Sequence, residues 1–161
     1  MPIVSSANNF SSSNLMCHAG HPDWVIERWP FTDAGSETIG VMKPGYLVKF
    51  DTNRTAVVPA LAADDATLEG IIIDLPDAED SSDTVAIAVQ GSFNQYQIRY
   101  ADAHADTGDP TPLSKAALSR LRDMGIFLEP VTPLTPAGEA GRRAYAALEA
   151  AELAAGIANQ A

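Results

Sequence analysis

The sequence predicts a mainly β domain of the α+β class, small and barrel-like, with one short internal helix, an extended N-terminal arm and a C-terminal helix. Three observations predict it. Between residues 41 and 132, short alternating apolar segments recur between turns of Asp, Asn, Gly and Pro. A single well-capped helical signal interrupts them near Ser114. The two ends differ from this centre: Ser5 to Asn14 is mostly Ser and Asn, whereas the last segment is rich in Ala. We therefore divide the chain into an arm (1–40), a central domain (41–132) and a helical tail (133–161).

The arm has one large apolar residue between Ser5 and Asn14, Phe10, and such a segment buries too little surface to offset its own ordering entropy. It is expected to order against a partner. Further on, Trp24, Val25, Ile26, Trp29 and Phe31 concentrate heavy apolar side chains in a protein with only 7% aromatics. Two uses are open: padding the central domain, or anchoring an interface at Trp24, Trp29 and Phe31.

In the central domain, Tyr46 to Phe50 reads as a strand, Asp51 to Arg54 as a turn with Asx chemistry, and Thr55 to Val58 as the returning strand. Leu68 to Asp74 is a second β segment, followed by an acidic loop from Asp77 to Asp83. In Thr84 to Gln90, Val85, Ile87 and Val89 face one way and Ala86 and Ala88 the other, which fits a strand packed on both faces or curving round a small barrel. Gly91 interrupts before Phe93, and Gln95 to Tyr100 reads as another strand.

Ser114 is a good N-cap, Leu113 and Leu118 can form a hydrophobic staple, and Ala117, Leu118, Leu121 and Met124 keep helical spacing up to the stop at Gly125. Ile126 to Val131 reads as a last short strand, placed at an edge by Pro130. Thr135-Pro136 opens the tail helix, whose large apolar side chains include Tyr145, Leu148 and Leu153. A helix with so narrow an apolar face needs a partner surface to persist.

Composition narrows the function. With 46% hydrophobic and 19% charged residues the 161-residue chain should fold, and 21 acidic against 10 basic residues give a net charge of −11. That charge disfavours direct binding to nucleic acid or anionic membranes and suits a protein crowded on an outer surface. One cysteine, Cys17, excludes an intrachain disulfide framework. No basic and apolar leader stands at the N-terminus and no apolar run approaches the roughly 20 residues of a spanning helix, so folding in a reducing cytoplasm is expected.

Little chemistry is signalled. Cys17, His18 and His21 form the one local group of soft ligands, at most three of the four that structural zinc requires, and His104 is isolated, so no metal is expected. Asp77, Glu79, Asp80 and Asp83 do not follow a calcium-loop spacing. Asp102, Asp106 and Asp109 read as loop residues among Gly and Pro. No nucleophile elbow, phosphate loop or zinc-protease helix motif is present, so neither catalysis nor a cofactor is expected.

Four blocks occur in a telling order: Pro44 to Asn53, Leu68 to Asp74, Val85 to Asn94 and Leu118 to Ile126. This order resembles the phage head decoration proteins similar to that of phage lambda, over roughly residues 40–132. The resemblance implies a small β-rich fold of β-tulip type and a homotrimer on the outer surface of the expanded capsid. It would be made in the host cytoplasm and serve in the virion as cement, with the major capsid protein as partner. It also implies an N-terminal arm that pairs with capsid strands, for which Pro2, Ile3, Val4 and Phe10 are the candidates. The family's type member has no obvious counterpart of the alanine-rich tail. The competing expectation is a surface-displayed β-barrel module that binds carbohydrate or protein, stacking ligand on Trp24, Trp29, Tyr96 and Tyr100.

Overall fold

The computed structural model describes residues 25–32, 44–74, 84–101, 109–131 and 135–159. They form β1 (Val25–Pro30), β2 (Leu47–Phe50), β3 (Val57–Pro59), β4 (Leu68–Asp74), β5 (Thr84–Asn94), α1 (Lys115–Met124), β6 (Ile126–Glu129) and α2 (Pro136–Asn159). Two 3-10 turns, Ala62–Thr67 and Gln95–Gln97, complete the set. The class is α+β, with strand order β1-β5-β4-β2-β3 in antiparallel pairs and β6 added parallel to the end of β5.

Both faces of the sheet are buried, as the alternation in β5 requires. Val85 and Ile87 join Val48, Val57, Ile72 and Tyr46 in one core, with Trp29, Phe31, Phe50 and Val89 packed against it. Ala86 and Ala88 face the other core, where their small size makes room for Ala117 and Leu121 from α1 and for Leu113 just before its N-cap. Each fully buried Leu or Ile there contributes on the order of 1.5–3 kcal/mol.

Strict alternation would put Leu68 and Phe93 on the opposite face, yet both lie in the α1 core. A bulge explains each. The β2–β4 register jumps between Val48 and Lys49, and the β1–β5 register jumps between Val25 and Ile26, so one extra residue reverses the side chains beyond it. Beside the second bulge stands Gly91 at φ 144, a backbone conformation that side chains disfavour.

The two edge strands meet at one point: Phe31 bridges Val57, and Thr32 N–H donates to the Val57 carbonyl at 3.0 Å. Among the described residues no ladder extends this bridge, so the sheet is rolled but is not a closed barrel. β3 is only three residues long and ends in Pro59, which has no N–H to offer.

Local polar chemistry moves several element ends. The Asp51 carboxylate accepts N–H bonds from Thr55 at 2.7 Å and Ala56 at 3.2 Å, so these residues belong to the turn and the returning strand begins at Val57. The expected strand from Gln95 to Tyr100 is instead a 3-10 turn with a single bridge at Arg99 to Tyr46. Here the Asn94 side chain accepts from Tyr96 N–H at 3.1 Å and draws the backbone away from the ladder. β6 stops at Glu129, before the donorless Pro130.

The helix ends follow their expected caps. Ser114 Oγ accepts from Ala117 N–H at 3.0 Å, and Gly125 closes α1 at φ 92. Thr135 Oγ1 accepts from Gly138 N–H at 3.0 Å, with Pro136 in the first turn of α2.

Candidate interaction surfaces

Of the residues singled out for capsid binding, Pro2, Ile3, Val4 and Phe10 lie outside the described residues, as do Trp24, Cys17, His18, His21, His104 and the 77–83 loop. Asp109 is described and pairs with Arg143 at 2.9 Å. Among the described residues, no group of three or more His, Cys, Asp and Glu side chains could hold a metal, and no helix is long and apolar enough to cross a membrane.

Trp29 and Phe31 sit on and just after β1, half-buried against the second core. Although β1 falls in the segment read as arm, it pairs with β5 along its whole length. The Trp29 ring meets Phe50 edge-on at 4.7 Å, and Arg54 lies 4.6 Å over the outer face of Phe50. The Trp29 indole N–H donates to Glu27 Oε2 at 2.8 Å. Arg54 has φ 56 and is held there by the Asp51 turn. Desolvation pushes the Asp51 carboxyl up, but the N–H bonds from Ala56, Thr55 and Arg54 and the Thr55 hydroxyl outweigh it and hold it below the usual carboxylate value. The result is a small aromatic and cationic patch, part of whose surface stays open.

Tyr100 belongs to the other core at 2% exposure, and Tyr96 packs against Tyr145 with ring centres 6.0 Å apart. Trp29 and Tyr100 therefore do not share one stacking platform, and Trp24 lies outside the described residues.

Sequence reasoning missed a polar network beneath α1. The Tyr100 hydroxyl donates to Asp65 Oδ1 at 2.7 Å and accepts from Ser114 N–H at 3.1 Å, while Ser114 Oγ donates to Asp65 Oδ2. Burial, reinforced by Asp65, pushes the Tyr100 phenol up, so it stays protonated and able to donate. Ser114 Oγ donates to a carboxylate and accepts from its own helix, which commits it to capping. The network joins segments 35 and 49 residues apart from Asp65, and no local motif signals such a pairing. Asp64 beside it accepts from Lys49 at 2.6 Å and from Leu61 N–H at 2.9 Å.

Arg99 was also missed. It is buried and donates to the Ala137 carbonyl, while Gln97 Nε2 donates to Thr135 Oγ1 at 2.8 Å and Leu113 N–H donates to the Tyr145 hydroxyl at 3.0 Å. These bonds fasten the start of α2 to the domain. Gly141 permits the approach, since a Cβ there would lie 2.1 Å from the Tyr96 carbonyl oxygen. A lone Arg between Ile98 and Tyr100 was the available signal.

One more surface is a groove of about 260 Å³ between α1 and β6, with Leu118, Ile126 and Leu128 apolar and Arg122 and Glu129 of opposite charge. Phe127 beside it is 43% exposed. Neither a family model nor a curated protein matches the chain.

Proposed function

We propose that the protein is a structural, non-catalytic virion component that binds the outer surface of an expanded phage capsid as a homotrimer and cements it. The order of the four sequence blocks carries this reading. Those blocks supply most of β2, β4, β5 and α1, which build the two cores, so the likeness falls on the folding unit rather than on scattered loops. The rolled sheet, whose edges touch at Phe31 and Val57, supports the β-tulip likeness.

The major capsid protein is the partner, reached by strand addition through the N-terminal arm at Pro2, Ile3, Val4 and Phe10, with Trp24, Trp29 and Phe31 as anchors at its base. Three arms on one trimer turn modest contacts into a tight attachment, because the first one bound holds the others nearby. Net charge of −11 keeps decorated particles apart in solution and leaves no role for nucleic acid or membrane.

Deletion of residues 2–14 tests the arm. Binding to expanded heads should be lost while the soluble protein keeps the thermal midpoint of the full chain. Retained binding would refute the arm model, and failure of the full chain to bind expanded heads would refute decoration itself.

A further inference from the structure

α1 turns straight into β6 through Gly125, so helix and strand lie side by side with the groove between them. Gly91 N–H donates to the Gly125 carbonyl at 3.1 Å, which fixes the phase of the parallel ladder. Backbone polar groups alternate sides along a strand, so Phe127 and Glu129 turn theirs toward β5, and Ile126 and Leu128 turn theirs to the opposite edge. Among the described residues no strand pairs with that edge. Within Ile126–Glu129 there is also no lysine, proline or bulge of the kind that commonly guards an edge.

Side chains alternate as well. Ile126 and Leu128 face α1, where they line the groove with Leu118, whereas Phe127 points to the other face and is 43% exposed. Leu118 and Arg122 stand one helical turn apart, four residues at 1.5 Å each or about 6 Å. Residues i and i+2 of an extended strand share a face and lie about 6.6 Å apart. A strand laid along β6 therefore presents two successive side chains of one face to Leu118 and Arg122. Arg122 is exposed and, among the described residues, makes no ion pair.

We propose that the β6 edge and its groove form a docking site for an extended segment of another protein. The segment adds as a strand, with an apolar side chain beside Leu118 and a carboxylate two residues away at Arg122. Main-chain bonds to the Ile126 carbonyl and to Leu128 supply affinity, and the groove and Arg122 supply selection. The residue between those two positions lies on the opposite face, against Phe127, where an apolar side chain fits.

The stretch before β1 does not offer this pattern. Asp23 is its one acidic residue, His21 stands two positions before it, and Val25 two positions after it is already paired in β1. Nor does the net charge of −11 exclude an acidic segment, since at about 0.15 M salt charges more than about 8 Å apart are largely screened. The site is separate from the arm and stands whether or not the protein decorates a capsid.

A peptide titration of the full chain tests it. The probe is Thr-Glu-Val-Leu-Val-Glu-Thr with blocked ends, whose two Glu residues set a carboxylate at Arg122 in either strand direction. One control carries Gln for both Glu, and a second is N-methylated at Leu and cannot donate there. The probe should bind saturably, and hydrogen exchange at the Leu128 amide should slow about tenfold when about nine-tenths of the protein is occupied. The Phe127 and Glu129 amides, already turned to β5, should change little. Arg122→Gln should weaken the probe about threefold, as for an exposed ion pair, and leave the Gln control unchanged. The N-methylated control should not bind. Absence of saturable binding at millimolar probe, binding without slower exchange at Leu128, or equal losses for the Glu and Gln peptides in Arg122→Gln would overturn the proposal. So would self-association that the probe competes away, which would seat a second copy in the groove.

Discussion

Replacing Gly141 with Ala sets two effects of opposite sign against each other. In a free helix the change stabilises by about 1 kcal/mol, because Ala loses less backbone entropy than Gly. In the folded protein the new Cβ would stand 2.1, 2.9 and 3.0 Å from the carbonyl oxygen, carbonyl carbon and Cα of Tyr96, all of them backbone atoms. An ordinary C···O approach is about 3.3 Å, so α2 must retreat by about 1 Å. Overpacking of this kind costs about 1–3 kcal/mol. The same retreat weakens the bonds from Arg99 to Ala137, Gln97 to Thr135 and Leu113 to Tyr145, each worth about 0.5–1.5 kcal/mol net. After the helix gain is subtracted, a net loss of about 1–2 kcal/mol is expected. For a chain of this size that lowers Tm by roughly 2–8 °C. Thermal unfolding followed by circular dichroism reads the shift, and hydrogen exchange should show faster exchange across residues 136–145. Gly156→Ala is the control: no atom lies within 4 Å of its Cβ, so only the helix gain remains and Tm should not fall. A Gly141→Ala protein as stable as the parent, or more so, would refute the docking of α2.

Tyr100→Phe removes a donor to Asp65 and the acceptor of Ser114 N–H, and should cost about 1–3 kcal/mol in urea unfolding. A double-mutant cycle with Asp65→Asn should show coupling of about 0.5 kcal/mol or more, and strict additivity would dissolve the network. Acid should destabilise the protein in a definite window. Desolvation raises the Asp64 carboxyl, but the Lys49 ammonium and Leu61 N–H outweigh it, so its folded value lies below the ordinary 3.8, as does that of Asp51. A depressed carboxylate adds stability in full above its unfolded value, and that stability is lost as pH falls through the folded value. Tm should therefore change little through these groups from pH 7 to about 5 and fall below about 4, less steeply in Asp64→Asn. An identical acid slope in that variant would count against the Lys49–Asp64 pair.

Local rules reached much of this fold. Alternating bulk in Val85 to Val89 disclosed a strand buried on both faces, and Ser114, Gly125, Thr135 and Pro136 marked their helix ends because capping depends on residues a few positions apart. Long-range geometry stayed hidden. The bulges that turn Leu68 and Phe93 toward α1 arise from register against other strands, and the parallel pairing of β6 with β5 depends on where α1 returns the chain. Alternation in Gln95 to Tyr100 suggested a strand, and the bond that Asn94 accepts from Tyr96 N–H makes it a turn instead. The surfaces were less legible still. Trp29 and Phe31 stood out by size alone, and only the rolled sheet shows them half-covered by Phe50 and its neighbours.

Electron microscopy of phage particles assembled with and without this protein tests the central claim most directly. Decoration predicts added density for three copies at the local threefold positions of expanded heads, with arms reaching capsid strands, and its loss from particles lacking the protein. Particles identical in the two preparations, or density away from the outer surface, would contradict it.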